Sequence, residues 1–284
     1  MPHIVIITDT DSSLPFDLAK KHNIVQVPIL IQFGDESFQD AYDIDNDAIF
    51  TRIDREGKLP STAAPSPGQF VDAFQQAFNS GADEVLCMTI SSEMSATYAA
   101  ACQAAGMLPG KRIVVLDTRS LAMGQGYMVL AAAEAVARGA SIEEAVAEAE
   151  NVRSRTYLFG ALATLKYIAM SGRVSHLAAG MAGLLDIKPV LAIQNGKLEL
   201  FEKIRTQKKA LDRAVELSME KAVGHKIEKM AVLNVKATAA ARHFQTLLHA
   251  SLPCPDEIIF AEINPGLSVH TGAGMVAVVF VNAK

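Results

Sequence analysis

The first half of the chain alternates short apolar segments with helix-like segments, and this alternation constrains the fold more than any other feature. Apolar segments at His3–Thr8, Glu84–Ile90 and Arg112–Leu116 have the length and β-branched content of buried strands. The last two are each followed by a polar turn and then by an alanine-rich, helix-like segment, at Ser95–Gly106 and Ala122–Arg138. Repetition of strand, loop and helix is typical of a parallel sheet covered by helices. We therefore expect the first half to form an α/β domain.

The other segments of the first half fit the same plan. Ile24–Ile31 is rich in β-branched residues and predicts a strand, and Pro28 within it indicates an edge position or a bulge. Helical spacing of apolar residues predicts three more helices, at Leu14–His22, Asp45–Arg55 and Pro67–Phe78. Asp45 and the proline at position 67 are suitable residues for starting their helices.

The order of elements changes in the second half. Ser141–Arg153 predicts an amphipathic helix, and Leu158–Met170 predicts an apolar helix that stops at Ser171-Gly172. Asn195-Gly196 separates two strand-like segments, Pro189–Ile193 and Lys197–Lys203, and is the strongest hairpin signal in the chain. The remaining predicted elements are a helix at Lys208–Val223, a strand at Met230–Val235, a helix at Ala237–His249 and strands at Glu257–Glu262 and Val276–Val281.

These patterns predict an α/β protein of two domains. The N-terminal domain, residues 1–155, is expected to hold a parallel sheet with flanking helices. The C-terminal domain, residues 156–284, is expected to be a mixed α/β domain because a hairpin occurs among its strand–helix units. A chain of 284 residues is long enough for each domain to bury its own core.

The composition excludes several classes of protein. The chain has 26 Lys and Arg against 31 Asp and Glu, a formal net charge of −5, whereas a sequence-independent nucleic-acid binder needs a basic surface. The three cysteines form no CxxC pair, and no two histidines have metal-ligand spacing, so we expect neither a disulfide framework nor a metal site. No apolar run reaches the length of a membrane span and no leader follows Met1, which indicates a cytoplasmic protein without an integral membrane segment.

Hydroxyl-rich segments follow the predicted strands at the edge where α/β proteins bind ligands. They are Thr8–Ser13, Ser91–Ser95 and Asp117–Ser120, and a similar segment, Pro60–Pro67, leads into a helix. Hydroxyls together with backbone N–H groups at helix N-termini suit a carboxylate or a phosphate. Each segment alone is more typical of helix capping than of a ligand site, so only their joint occurrence favours an anion site.

Catalytic chemistry has weaker support. The chain lacks a G-x-S-x-G elbow, a phosphate-binding P-loop and an H-E-x-x-H motif. Asp9, Asp11 and Asp117 at strand ends leave open a hydrolase or phosphotransferase, although no paired nucleophile and base can be named. Arg173 either neutralises the end of a helix or reaches the same anion, and His270, in a glycine-rich turn before the last strand, either packs there or faces a ligand.

Taken together, short motifs in a fixed order along nearly the whole chain resemble the DegV family. These are bacterial fatty-acid-binding proteins that serve as lipid-carrying subunits of fatty acid kinase. The matching motifs are Thr8-Asp9 with Leu14-Pro15, Pro60–Pro67 with Gly68 and Phe70, Ile90-Ser91-Ser92 with Ser95, Thr97 and Tyr98, Asp117-Thr118 with Met123-Gly124 and Gly126, Leu165–Ile168 with Ser171-Gly172-Arg173, Ile187–Leu191, Gly196-Lys197, Arg205-Thr206 with Lys208–Ala210, and His270 with Gly272 and Gly274.

The resemblance implies a long-chain fatty acid in a tunnel between the two domains. It implies that Thr62 and Ser92 bind the carboxylate, with Ser61 and Ser91 beside them. The polar residues that match the family near the head group are Arg173 and His270. Such a protein is no enzyme: it has no catalytic residue, metal or cofactor of its own, and it presents the carboxylate to a separate kinase for acyl-phosphate formation.

The chain departs from the family pattern beside the expected head-group site. Glu93 and Ala96 replace two glycines, and Glu93 would weaken anion binding unless its side chain points outward. Ala63 and Ala64 stand where the family usually has Ser-Gln.

Two further regions have expected roles. The apolar segments Leu158–Met170 and Leu177–Ile187 are expected to line the tunnel as helices. A basic cluster, Arg205, Lys208 and Lys209, either docks the kinase catalytic subunit or forms a solvated helix start. Chain length and saturation of the lipid, the identity of the kinase and the oligomeric state do not follow from the sequence.

Overall fold

The computed structural model describes residues 2–171 and 187–284. The chain divides into two compact units. Unit 1 comprises Met1–Ile44 and Pro60–Ser154, and unit 2 comprises Asp45–Leu59 and Arg155–Lys284. The α/β fold class, with a parallel sheet in the first part and a mixed sheet in the second, is confirmed.

Unit 1 is built on a four-stranded parallel sheet in the order β2-β1-β6-β7. Its strands alternate in the chain with helices that cover the sheet, and Phe70 and Phe74 of one helix pack into the core beside Ile7 and Val85. The elements are β1 (Ile4–Asp9), α1 (Phe16–Lys21), β2 (Ile24–Val27), β3 (Leu30–Phe33), β4 (Glu36–Gln39), β5 (Ser61–Ala63), α3 (Pro67–Asn79), β6 (Glu84–Thr89), α4 (Thr97–Gly106), β7 (Arg112–Asp117), α5 (Ala122–Ala137) and α6 (Ile142–Ser154).

A second, three-stranded antiparallel sheet in unit 1 has the order β4-β3-β5. It arises because the segment predicted as one strand, Ile24–Ile31, divides at Pro28: β2 ends at Val27 and β3 begins at Leu30. Proline has no N–H for a sheet ladder, so the chain leaves the first sheet there. The segment predicted as a loop at Pro60–Pro67 contributes β5, in which Thr62 pairs with Ile31.

Unit 2 contains a six-stranded mixed sheet in the order β10-β9-β8-β13-β11-β12. Helices α8 and α9 pack against it, with Phe244 and Phe280 fully buried in the same core. The elements are α2 (Asn46–Glu56), β8 (Thr156–Ala161), α7 (Lys166–Ser171), β9 (Lys188–Gln194), β10 (Lys197–Ile204), α8 (Gln207–Ala222), β11 (Ile227–Asn234), α9 (Thr238–Ser251), β12 (Ile258–Glu262), α10 (Pro265–Thr271) and β13 (Val276–Asn282).

The predicted hairpin is present between β9 and β10. Asn195 and Gly196 both have positive φ, 51° and 82°, as the tight turn of a two-residue hairpin requires. The register follows, with Lys197 opposite Gln194.

The predicted apolar helix at Leu158–Met170 is wrong. Its first part is the strand β8, which pairs with β13 on one side and β9 on the other, and only Lys166–Ser171 is helical. A strand buried on both faces is continuously apolar, so its sequence does not distinguish it from a buried helix. The second predicted tunnel helix, Leu177–Ile187, lies outside the described residues except for its last position.

Helix α2 belongs to unit 2 although its neighbours in the chain belong to unit 1. The sequence prediction drew a single boundary after residue 155, whereas the segment Asp45–Leu59 groups with the C-terminal part. The reason lies in its buried face, where Ile49, Phe50 and Ile53 are covered and the ring of Phe50 meets that of Tyr167 edge-on, with centroids 6.2 Å apart.

Within residues 2–171 and 187–284, no helix is long and apolar enough to cross a membrane.

Candidate functional site

Polar residues collect at the carboxyl ends of β1, β6 and β7 in unit 1, as the sequence predicts for this edge. Asp9, the last residue of β1, is fully buried and joins three elements through its carboxylate. One oxygen accepts from the Ile90 N–H at 2.8 Å, and the other accepts from the Asp11 N–H at 3.0 Å and the Gln125 Nε2 at 3.1 Å. These bonds hold the start of the Ser91-Ser92 loop against β1 and α5.

Burial raises the pKa of Asp9 to about 6, even though its hydrogen bonds to Ile90, Gln125 and Asp11 oppose that rise. Burial disfavours the charged carboxylate, and the three hydrogen bonds compensate only in part. Asp9 therefore serves to fix the loop after β6, which is a structural task rather than that of an exposed catalytic acid.

Gln125 on α5 takes part in the same buried network. Its amide nitrogen donates to the Thr8 hydroxyl at 2.9 Å, and that hydroxyl donates to the Met88 carbonyl at 2.8 Å. The Gln125 Oε1 has no hydrogen-bond partner among the residues that the structure describes. Sequence reasoning did not single out Gln125; a glutamine inside an otherwise apolar, alanine-rich helix was the available signal.

Asp117, the last residue of β7, binds both neighbouring loops. Its Oδ2 accepts from the Ser92 hydroxyl at 2.6 Å, and its Oδ1 accepts from the Ser92 N–H at 3.2 Å and from the Arg119 N–H at 2.9 Å. The bond to Arg119 also supports the positive φ of that residue, 50°. The carboxylate of Asp117 is thus occupied in holding the two loops together.

The two predicted serines have different surroundings. Ser92 is exposed and gives its hydroxyl proton to Asp117, whereas Ser91 is fully buried. The Ser91 Oγ accepts from the Glu93 N–H at 3.3 Å, and the Ser91 N–H donates to the Ser120 carbonyl at 2.9 Å. The structure therefore brings Ser91, Ser92 and Asp117 together at one edge of the sheet.

Glu93 lies on the exposed side of this loop, with its carboxylate 3.7 Å from the Arg119 guanidinium. The side chains of Glu93 and Arg119 are 36% and 40% exposed, so solvent screens their interaction and the pair is worth at most about 1 kcal/mol. Glu93 stands where the family pattern has a glycine, and its negative charge is thus partly neutralised by Arg119, which follows β7.

Ser61 and Thr62 lie on the three-stranded sheet of the same unit. Ser61 is exposed, and its hydroxyl donates to the Gln32 Oε1 at 3.4 Å. Thr62 is half-buried and is held in register opposite Ile31. The following helix, α3, starts with a capping box in which Ser66 and Gln69 satisfy each other's backbone N–H groups.

His270 lies in unit 2, and its surroundings differ from the prediction. The segment expected as a glycine-rich turn forms α10, which carries His270 in its last turn. Gly272 ends this helix with φ of 80°, and a Cβ there would lie 2.2 Å from the ring of Tyr167, so a glycine is required. His270 is half-buried; Arg173 lies outside the described residues.

The predicted basic cluster is located where α8 begins. Arg205 precedes the helix, whose N-cap is Thr206, and Lys208 and Lys209 fall in its first turn. The three basic side chains are exposed. Positive charge is unfavourable at a helix N-terminus, so these residues are not placed there for the stability of the helix.

The described part of the chain contains no group of three or more His, Cys, Asp or Glu residues that could hold a metal ion. The donors at the carboxyl edge of unit 1 are instead hydroxyls and backbone amides.

The α/β fold described above is shared over the whole length of the chain by solved structures. The DegV family of uncharacterised proteins matches residues 3–283, and the chain belongs to this family. A DegV domain-containing protein of Mycobacterium tuberculosis is 35% identical over 280 residues, covering 97% of this chain and 96% of the relative. A relative from Streptomyces coelicolor is 30% identical over 277 residues and 98% of each chain.

Solved structures agree with this assignment. A DegV family protein of Thermus thermophilus, described as binding fatty acid, has a TM-score of 0.90 and 31% identity, with 100% of both chains covered. DegV of Bacillus subtilis, described as a fatty acid binding protein, has a TM-score of 0.87 and 26% identity over 100% of both chains.

Proposed function

We propose that this chain binds a long-chain fatty acid and presents its carboxylate to a separate kinase. The observation that carries the first part is the full-length similarity to the fatty-acid-binding DegV protein of Thermus thermophilus, at 31% identity and a TM-score of 0.90. The hydroxyl-rich loops at the carboxyl edge of the unit 1 sheet support it, because they offer neutral donors to an anion.

The head group is held, in this proposal, by Thr62 and by the Ser91-Ser92 loop. Ser92, whose side chain is exposed at the end of β6, is the serine that we propose for the carboxylate, with Ser91 beside it. Neutral hydroxyls can bind a carboxylate without neutralising it, which leaves it able to react with a phosphoryl donor. Arg173 and His270 complete the head-group site in this proposal.

The affinity comes from the tail. Burial of each CH₂ is worth about 0.8 kcal/mol, so a dozen buried groups give roughly 10 kcal/mol before ordering costs. The place that we propose for the tail is the apolar tunnel that the family resemblance implies.

The kinase contact is proposed for the basic cluster Arg205, Lys208 and Lys209. Its exposed cations lie at the start of α8, where their charge interacts unfavourably with the helix dipole. An acidic surface on a partner would offset this unfavourable interaction. Arg205→Glu is expected to preserve lipid binding but to lower acyl-phosphate formation with a cognate kinase. Lys21→Glu, which changes an exposed lysine at the end of α1, is the matched control, and equal turnover of both variants would exclude the docking role.

Calorimetric titration of lipid-free protein tests the binding itself. Oleate is expected to bind in the micromolar range or tighter, and methyl oleate, which has the same tail but no carboxylate, is expected to bind at least about tenfold more weakly. Absence of oleate binding would contradict the proposed function, whereas equal binding of both lipids would contradict only the head-group site.

A further inference from the structure

Asn46, the first residue of α2, is buried and uses its whole amide in hydrogen bonds. Its Nδ2 donates to the Glu262 Oε2 at 3.1 Å and to the Ile263 carbonyl at 2.9 Å. Its Oδ1 accepts from the Ser268 hydroxyl at 2.6 Å. A side chain only 6% exposed with both donors and its acceptor engaged has one fixed orientation.

These bonds connect α2 with two other parts of unit 2. Glu262 ends β12 and also accepts from the Lys236 N–H, at 3.3 Å, just beyond β11. Ser268 lies on α10, the helix that carries His270. The end of parallel strands β11 and β12, where an α/β sheet normally receives a ligand, is thus closed by the start of α2.

The ion pair between Asp47 and Lys236, at 2.7 Å, lies beside these hydrogen bonds of Asn46, but the side chain of Asp47 is 82% exposed.

We propose that Asn46 is a positioning residue for fatty-acid binding: by bonding Ser268 it fixes α10, and with it the backbone that presents His270. This inference rests on the proposed function. Ion pairs at the exposed Asp47 have no such effect because solvent screens them.

The test measures oleate affinity and thermal unfolding of five variants. Asn46→Ala and Ser268→Ala each leave buried groups without their partner, and each is expected to lower oleate affinity about tenfold as well as the melting temperature. Their double variant is expected to lose little more affinity than Asn46→Ala, because both single variants break the bond between Asn46 and Ser268. Asp47→Ala is the control on the same helix and is expected to bind oleate like the wild type.

Ser268→Thr separates positioning from stability. It keeps the hydroxyl, but its extra methyl group enters a fully buried position and is expected to lower the melting temperature. Wild-type oleate affinity in Ser268→Thr would support the positioning role of Asn46. A loss of oleate affinity that follows the loss of melting temperature in all variants would overturn it. Unchanged affinity in Asn46→Ala would also overturn it while leaving the proposed function intact; loss of binding in the wild type and in Asp47→Ala alike would instead remove the proposed function.

Discussion

The hydroxyl of Ser92 donates to the carboxylate of Asp117 at 2.6 Å, and this bond joins the loops that follow β6 and β7. A serine hydroxyl has one proton, so Ser92 must exchange this bond for one to a bound carboxylate. The bond holds Ser92, the exposed serine of the pair and the one we propose for the ligand, at the sheet edge until the ligand binds.

The first prediction concerns Ser92 as a donor to the carboxylate. Ser92→Ala is expected to lower oleate affinity about tenfold or more, since a hydrogen bond to a charged group contributes about 1.5–3 kcal/mol. Ser92→Thr keeps the hydroxyl and is the control, with an expected change of about threefold or less. Titration calorimetry on both variants checks the order, and unchanged affinity in Ser92→Ala would refute it.

The second prediction concerns Asp9 and pH. Its pKa is raised from 3.8 unfolded to about 6 folded, so the folded state binds the proton more tightly between those values. The free energy of unfolding attributable to Asp9 therefore falls as pH rises from 4 to above 6, by about 3 kcal/mol. Above pH 6 the carboxylate of Asp9 is ionised, and the full free-energy cost of burying its charge lowers the stability of the folded state.

Asp9→Asn removes this titration. Chemical denaturation of wild type and variant is measured from pH 4 to pH 7.5. As the pH rises, the wild type is expected to lose stability relative to the variant. The variant side chain has one acceptor oxygen fewer, so at least one of the N–H donors of Ile90, Asp11 and Gln125 loses its acceptor. This loss lowers the stability of the variant by the same amount at every pH. A pH-independent difference would show that the Asp9 pKa is not raised.

The third prediction concerns the close approach of α5 to the chain after β1. A Cβ at Gly126 would lie 2.9 Å from the Met123 Sδ and 3.2 Å from the Ser12 carbonyl oxygen. Gly126→Ala is expected to destabilise unit 1 by about 1–2 kcal/mol despite the better helix propensity of alanine. Gly106→Ala on α4 is the control, since nothing lies within 4 Å of its Cβ, and we expect it to be neutral or slightly stabilising in denaturant unfolding. Equal effects of both would contradict the packing argument.

Local signals in the sequence predicted much of the fold. Asn195-Gly196 identified the hairpin because few other residues tolerate positive φ at both positions, and Asp45 identified the start of α2, where its side chain accepts from the Ala48 N–H at 2.8 Å. The apolar segment after residue 155 was assigned wrongly, since β8 owes its conformation to pairing with β13 and β9, which are distant in sequence.

The residues at the sheet edge could also be predicted from the sequence only in part. Strand ends correctly located Asp9, Ser91 and Asp117 at one edge, because parallel strands share the side at which their carboxyl ends lie. The bond between Ser92 and Asp117 spans 25 residues, and no local pattern in the sequence records it. Likewise, α2 joins unit 2 through distant partners, such as Tyr167 for Phe50 and Ser268 for Asn46, and no local pattern records these contacts.

The central claim is that this protein holds a long-chain fatty acid. Mass spectrometry of the organic extract of protein purified without added lipid tests it most directly, with an unrelated protein from the same preparation as the control. The claim predicts long-chain fatty acid in an amount close to equimolar with the chain, and its re-uptake after the lipid is removed. An extract without fatty acid, from protein that also fails to take up oleate, would contradict it.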